Sequence, residues 1–323
     1  MKNSRKLTHI LLDYGIIFFL VLLIAFFSVS ATDFFTFKTC ITILKQVSIN
    51  GVIAVGMAVV ILSGGIDLSV GSIVAMAAVL FSMMYNAGLP GIAAIVLTVL
   101  IGAVFGLLNG FFVNTLNVPA LIATLGTSTA IRGGAYLLTG GIPVSGMPKS
   151  IMTFAQGTLW VIPYPVLLLA AVFAIGALVL NKTKFGRHVY AVGGNAEASR
   201  LSGINITKIR YTAYIISGFT AAIAGMLLVS RTNTGQPAAG EGYEMNAITS
   251  VVLGGVSIAG GEGNLWLVTV GILIVGVLNT GMVMMYLDNY TQDVVQGLIL
   301  IAAVAFANFS QKVKAKTIVV DEK

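Results

Sequence analysis

Charge, histidine and cysteine are all scarce in this chain, and each scarcity removes a class of function. Only 9% of the 323 residues are charged and 57% are hydrophobic, with a mean hydropathy of +0.98. No polar surface can be drawn around a globule of that make-up, so the main solvent of the chain is lipid. The single cysteine, Cys40, excludes an intrachain disulfide framework and leaves the redox compartment unreadable. Two histidines, His9 and His188, lie far apart in polar flanks, too few with one cysteine for an ordinary zinc site. Neither H-E-x-x-H nor G-x-S-x-G is present, so nothing supports a membrane hydrolase. The nearest approach to a G-x-x-x-x-G-K-[ST] phosphate loop is Gly141 to Ser150, which has the wrong spacing. If transport consumes ATP, the ATPase is another chain.

What the chain has in abundance is long apolar runs, such as Val161–Leu180 and Tyr211–Val229. Backbone polar groups in hydrocarbon must be paired internally, so these read as spanning helices. The runs do not alternate polar and apolar residues, which argues against a β-barrel. Hydropathy places spans near 14–30, 46–62, 68–85, 91–113, 118–138, 161–180, 211–230, 265–285 and 292–309. The net charge of +7 comes from clustered basic residues. The positive-inside rule puts Lys2, Arg5 and Lys6, the loop 181–210, and Lys312, Lys314 and Lys316 on the cytoplasmic side. Six spans precede that loop and three follow it, so parity requires a tenth. Met245–Ile258 supplies it as a broken helix interrupted at Gly254–Gly255. The first apolar stretch, Tyr14–Val29, could be the core of a signal peptide, but spans follow it directly and no cleavage site stands out, which favours a retained helix. The expectation is an all-α integral membrane protein: one transmembrane domain over 1–323, about ten helices, both termini cytoplasmic.

Polar residues inside such a chain are few enough to weigh singly. Asp67 sits midway in the nearly uncharged stretch Val47–Tyr85, where it reads as the cap of a helix beginning near Leu68 or as a gate; a coupling role for a proton or cation is the alternative. Arg132 lies near enough to the outer end of its span to snorkel, with a solute contact as the other reading. Asn109, Gln236, Asn246 and Asn279 are uncharged hydrogen-bonding groups near span ends, suited to a sugar or to capping. The stretch Arg231–Pro237 and Glu241–Glu244 is expected outside, either solvated or docking a partner. Ile61-Leu62-Ser63-Gly64-Gly65 is echoed by Val252-Leu253-Gly254-Gly255, and Gly106-Leu107-Leu108-Asn109 by Gly276-Val277-Leu278-Asn279; transporters are often built on repeats, with sites at Gly-interrupted helices. Small residues such as Gly102 and Gly106, or Gly271 and Gly276, permit close helix approach.

The central loop is the most informative stretch. In it Asn195 is an N-cap, Glu197 suits a first turn and Gly203 a C-terminal stop, which predicts a helix of about two turns. A helix that short needs packing against something else. On the cytoplasmic face it is shaped to dock into a partner's groove.

Three strings now carry a resemblance: Val59 to Ser72 with its Gly-Gly-Ile-Asp-Leu-Ser core, Gly193-Gly194-Asn195 to Gly203-Ile204-Asn205, and Val251 to Gly263. Together, in this order and across nearly the whole chain, they resemble the permease subunits of ribose-type ABC importers, the simple-sugar branch of a superfamily that also holds branched-chain amino acid permeases. The resemblance implies that Asn195–Gly203 is a coupling helix, with Gly194, Asn195, Glu197, Ala198, Arg200 and Gly203 facing an ABC ATPase. Residues of the translocation path or gate are expected at Gly65, Asp67, Ser69, Asn109, Gln236, Asn246, Gly254, Gly255 and Asn279. Expected partners are that ATPase, an extracytoplasmic sugar-binding protein, a second permease copy or sister chain, and membrane lipid, with no nucleic acid. The chain itself would bind no cofactor or metal, ATP and Mg being used by the ATPase in the cytoplasmic (inner) membrane. Rivals are an ion-coupled secondary transporter using Asp67 or Asp293, and a structural scaffold. Ribose, another pentose or hexose, a signalling furanose and a nucleoside all fit a path with few charges.

Overall fold

In a computed structural model the described residues run from Lys2 to Asp321, with side-chain surroundings described for 15–148, 151–153 and 156–305. Met1, Glu322 and Lys323 lie outside the described residues, as do the side chains of Lys2, Arg5, Lys6, Lys312, Lys314 and Lys316 used above for topology. The helices are α1 (Lys2–Ser30), α2 (Phe37–Leu62), α3 (Val70–Asn86), α4 (Gly91–Asn114), α5 (Ala120–Thr139), α6 (Lys149–Gln156), α7 (Tyr164–Lys182), α8 (Lys184–Gly194), α9 (Ala196–Leu201), α10 (Ile206–Thr232), α11 (Tyr243–Leu253), α12 (Leu265–Met284) and α13 (Asn289–Asp321). Four two-residue strands interrupt an otherwise all-helical chain. β1 (Val144–Ser145) pairs antiparallel with β4 (Thr234–Gly235), and β2 (Thr158–Leu159) with β3 (Ile162–Pro163).

Among the described residues five helices, α2, α4, α7, α10 and α12, are long and apolar enough to cross a membrane, and Gly15–Ser30 and Val70–Asn86 are shorter apolar helices. The outward faces of α1, α4, α5, α7 and α13 carry Phe18, Leu22, Ile92, Leu100, Leu137, Ile175, Leu298 and Ile301, all exposed. A belt of that kind is stable only against hydrocarbon.

At the centre stands α10, packed on α4, α2 and α3. The α4–α10 crossing is built from small residues: a Cβ at Gly102 would run into the Gly218 carbonyl at 2.6 Å and Ala222 at 2.5 Å, and one at Gly218 would meet the Gly106 nitrogen at 2.9 Å. Here the backbones themselves are in contact, which is how helices gain packing without a hydrophobic driving force.

Two helices end alike. At the end of α2, Gly64 takes φ +82°, its N–H bonds to Ile61 O at 2.9 Å, and Gly65 N–H bonds to Val60 O at 3.0 Å. At the end of α11, Gly255 takes φ +77°, with Gly255 N–H to Val252 O at 2.9 Å and Val256 N–H to Val251 O at 3.2 Å. Both are Schellman caps with glycine in the left-handed position. The first sequence echo is thus one cap shape used twice, with Gly64 matching Gly255. The second echo has no such counterpart: Gly106 backs onto Tyr214 of α10, Gly276 onto Val47 of α2.

Several expectations need correction. α2 starts nine residues before the predicted position 46, because Lys38, Thr39 and Lys45 depress hydropathy over its first turns, while Thr36 caps it by accepting from Thr39 N–H at 3.3 Å. The broken helix expected over Met245–Ile258 is a half-helix. α11 has 11 residues, about 16 Å at 1.5 Å per residue, roughly half of a 30 Å hydrocarbon core. Residues 254–264 are turns, not a second half. The central loop holds two helices rather than one, α8 having been hidden by its low hydropathy and its three glycines, Gly186, Gly193 and Gly194.

Candidate functional site

Asp67 is fully buried and joins four parts of the bundle. Its Oδ1 accepts from Ser69 N–H at 3.0 Å, Ser69 Oγ at 2.6 Å and Asn109 Nδ2 of α4 at 3.3 Å; its Oδ2 accepts from Ser217 Oγ of α10 at 2.7 Å. Asn109 also donates to Ser69 Oγ at 2.7 Å and accepts from Thr127 Oγ1 of α5 at 2.6 Å. Beside this node Tyr214 Oη donates to Ile66 O at 3.2 Å, and a Cβ at Gly65 would meet that phenol oxygen at 2.8 Å. The cap reading of Asp67 is therefore corrected: α3 begins at Val70 behind Ser69, and Asp67 makes an Asx turn to Ser69 N–H while stitching α4 and α10 to the turn. Asp67, Ser69 and Asn109 form a mutually satisfied network with Gly65 packed beside it under Tyr214, and none of the four lines either of the two cavities described next. Asp293, the other carboxylate considered for ion coupling, is exposed.

A cavity of about 300 Å³ opens instead between α2, α10, α11 and α12, and among its lining residues are Gln46, Asn50, Arg231, Tyr243, Asn246 and Asn279. Two of the predicted amides, Asn246 and Asn279, line it. Gln46 and Asn50 were missed, although their four-residue spacing on an apolar helix puts both on one face, which was the available signal. A smaller cavity of about 170 Å³ shares Leu228, Thr232 and Tyr243 with the first and adds Gln236, Ala239 and Gly240. Gln236 thus sits at a cavity, donating to Thr234 Oγ1 at 3.1 Å.

The stretch after α10 is not a free loop. Gly235 pairs with Val144. Pro237 and Ala239 offer their carbonyls to Arg132 Nη1 of α5 at 3.0 and 2.8 Å. At Gly71 a Cβ would collide with the Glu244 carboxylate and the Gly240 carbonyl. Arg132 is therefore a strap-holder, half-buried, rather than a snorkelling cation.

At the opposite end of the bundle Asn195 caps α9, its Oδ1 accepting from Ala198 N–H at 2.9 Å, and Gly203 turns the chain at φ +81°. Arg200 grips Glu197 through Nε at 3.1 Å and Nη2 at 2.6 Å; that hydrogen bond holds the Glu197 carboxyl below the usual carboxylate range. Both side chains are well exposed. The adjoining α8 is tied inward. Tyr190 Oη donates to Gly263 O at 3.2 Å, and Gly261 N–H bonds to Leu62 O at 3.0 Å. A Cβ at Gly193 would overlap the Leu62 carbonyl and lie 2.5 Å from Gly261 N, while one at Gly260 would lie 2.9 Å from Gly64 and 3.1 Å from Gly193. Four glycines thus press three backbones together: the end of α8, the end of α2 and the turn 255–264 after α11. Gly254 is enclosed against α12, 2.5 Å from Val268 Cα for a built Cβ, while Gly255 is exposed with open space around it; neither lines either cavity. Among the described residues no three His, Cys, Asp or Glu side chains gather closely enough to hold a metal ion.

Comparison with known proteins agrees with this architecture. The chain is 39% identical over 316 residues to the ribose import permease protein RbsC of Haemophilus influenzae, covering 96% of this chain and 98% of that protein. It is 40% identical over 309 residues to RbsC of Bacillus subtilis (94% and 96%), and 36% identical over 321 residues to the L-arabinose transport system permease protein AraH of Escherichia coli (97% and 95%). No solved structure matches. The family model described as "branched-chain amino acid transport system / permease component" matches residues 39–304, and the chain belongs to that family.

Proposed function

We propose that this chain is the membrane-spanning subunit of an ATP-driven importer of a small sugar, moving solute without hydrolysing nucleotide itself. The observation that carries the reading is the glycine junction. It joins α8, which carries the exposed and capped α9, backbone to backbone with the end of α2 and with the turn that follows α11, two helices that wall the cavity. A push on α8 is thereby delivered to the solute-side helices with no soft side chain between. Relatives named for ribose and L-arabinose point to a pentose-sized solute.

On this reading α9, with Gly194, Asn195, Glu197, Ala198, Arg200 and Gly203, docks the ABC ATPase, and a second permease copy or sister chain completes the path. An extracytoplasmic binding protein delivers solute to the end bearing α6 and the strands. Ten crossings follow in the cytoplasmic membrane: α1, α2, α3, α4, α5, α7, α10, the strap 233–242 together with α11, α12 and α13. Six lie before the basic loop and four after, so both termini are cytoplasmic, in keeping with the positive-inside rule. A half-helix preceded by irregular chain is tolerated at membrane depth where it is buried in protein or lines a cavity.

The ion-coupled alternative is disfavoured by Asp67, every oxygen of which is already engaged inside a sealed network. Reconstitution with a partner ABC ATPase and a sugar-binding protein tests the proposal: ribose uptake should require ATP and persist when ion gradients are collapsed. Uptake that needs a gradient and no ATPase would overturn it.

A further inference from the structure

The larger cavity shows which hydrogen bonds it still offers. An amide has one acceptor oxygen and an NH2 with two donors. The Gln46 oxygen accepts from Thr280 Oγ1 at 3.3 Å and the Asn279 oxygen accepts from Gln296 Nε2 at 3.1 Å. With one lone pair of each oxygen taken, what these two residues chiefly have left for the cavity is donors. Asn50 is the reverse case. It is 7% exposed, lines the cavity, and its Oδ1 is buried with no hydrogen-bond partner. A buried carbonyl oxygen left unpaired is destabilising by itself, and native structures keep such atoms where a ligand or water completes them.

Donors on one wall and an empty acceptor on another suit a solute whose every group both gives and takes a hydrogen bond. Hydroxyls do so; an amino acid does not. Its ammonium would find no carboxylate to pair with among the described lining residues, of which Arg231 is the only charged one. Asn50 stands thirteen residues into α2, roughly 20 Å along the helix at 1.5 Å per residue, near the middle of a bilayer. That depth is where transporters place their solute.

We infer that this cavity is a binding subsite for a neutral polyhydroxyl solute within a single permease chain, with the Asn50 carbonyl accepting a solute hydroxyl and the Gln46 and Asn279 amides donating to solute oxygens. It rests on the importer reading, its sugar solute included, and it names the residues that reading leaves open. Leu228 and Tyr243, shared with the smaller cavity under the strap, form the partition the solute crosses on its way in.

The single cysteine makes a direct test available. In the complete complex in proteoliposomes, Cys40→Ser with Leu228→Cys places one thiol in the cavity wall without touching a hydrogen-bonding residue. D-ribose at ten times its dissociation constant should slow modification by a small neutral thiol reagent roughly tenfold, by simple occupancy. L-leucine at the same concentration should leave the rate unchanged. Adding Asn50→Leu should raise the ribose concentration needed for protection about tenfold, the effect of one lost hydrogen bond. Labelling that ribose does not slow, equal protection by leucine, or protection unaltered by Asn50→Leu would each overturn the inference. The ribose-against-leucine comparison needs only the Leu228→Cys chain and decides the matter even where Asn50→Leu does not fold. Labelling requires no ATP turnover, so failure here is distinct from failure of ATP-driven uptake in the unmutated complex.

Discussion

Gly193 and Gly194 are neighbours in sequence, yet the junction treats them very differently. A methyl group at Gly193 would occupy the space of the Leu62 carbonyl oxygen and press on Gly261 N at 2.5 Å, while one at Gly194 finds only Gly261 Cα at 4.0 Å. The first clash involves backbone on both sides, so no side-chain rotation relieves it. Overpacking of this kind costs about 1–3 kcal/mol, and the Gly261 N–H to Leu62 O bond it would push apart adds about 1 kcal/mol, giving roughly 2–4 kcal/mol for Gly193→Ala. At Gly194, the last residue of α8, alanine relieves the entropic penalty of glycine, so the change should be neutral or stabilising by a few tenths to about 1 kcal/mol. The two variants should therefore separate by about 3 kcal/mol, two orders of magnitude in equilibrium constant. Thermal unfolding of the purified permease in one detergent, with wild type alongside, reads this difference, and ribose uptake per ATP reads its mechanical consequence. Gly193→Ala should melt earlier and transport fewer sugars per ATP; Gly194→Ala should match wild type on both. Equal behaviour of the pair, or a larger loss at Gly194, would refute the idea that backbone contact at this junction carries the coupling.

Other perturbations follow from the same geometry. Asp67→Ala leaves the Ser69, Asn109 and Ser217 donors unsatisfied in a sealed site and should destabilise by about 3–5 kcal/mol; Asp67→Asn, which keeps one acceptor, should lose less in a thermal melt, and its residual uptake should remain ATP-dependent. Arg132→Lys has too short a side chain to bring its nitrogen to where Nη1 meets both carbonyls of the strap, so limited proteolysis between 233 and 242 should quicken several-fold with little change in overall melting. The Glu197 carboxyl is held below its ordinary range by Arg200, so its support of α9 is present above that range and disappears as pH falls through the lowered value. Glu197→Gln at neutral pH should then reproduce, in ATPase stimulation by the permease, the behaviour of wild type in acid, and a variant that retained wild-type pH dependence would remove Glu197 from that role.

Span positions were largely legible because a lipid-facing helix must be apolar for 17 residues or more, and that signal is written in composition. The ends of α3, α4, α5, α7 and α12 fall within three residues of expectation. What hydropathy could not give was anything set by polar or small residues acting at a distance. α8 is amphipathic and glycine-rich, so it looked like loop until its packing under the Leu62 carbonyl was seen. Asn109 and Asn279 looked equivalent as amides near Gly-Leu strings, but one is locked to Asp67 and the other faces the cavity, a distinction that depends on which helix lies opposite. Asn195, Glu197 and Gly203 were readable because capping is local chemistry, decided within a few residues.

Arg132 lines neither cavity, yet it holds the segment that roofs the smaller one through two carbonyl oxygens. The lid is therefore steered from α5. A tilt of that helix would draw Pro237 and Ala239 with it, so the position of the strap over the smaller cavity is tied to a helix that lines neither cavity.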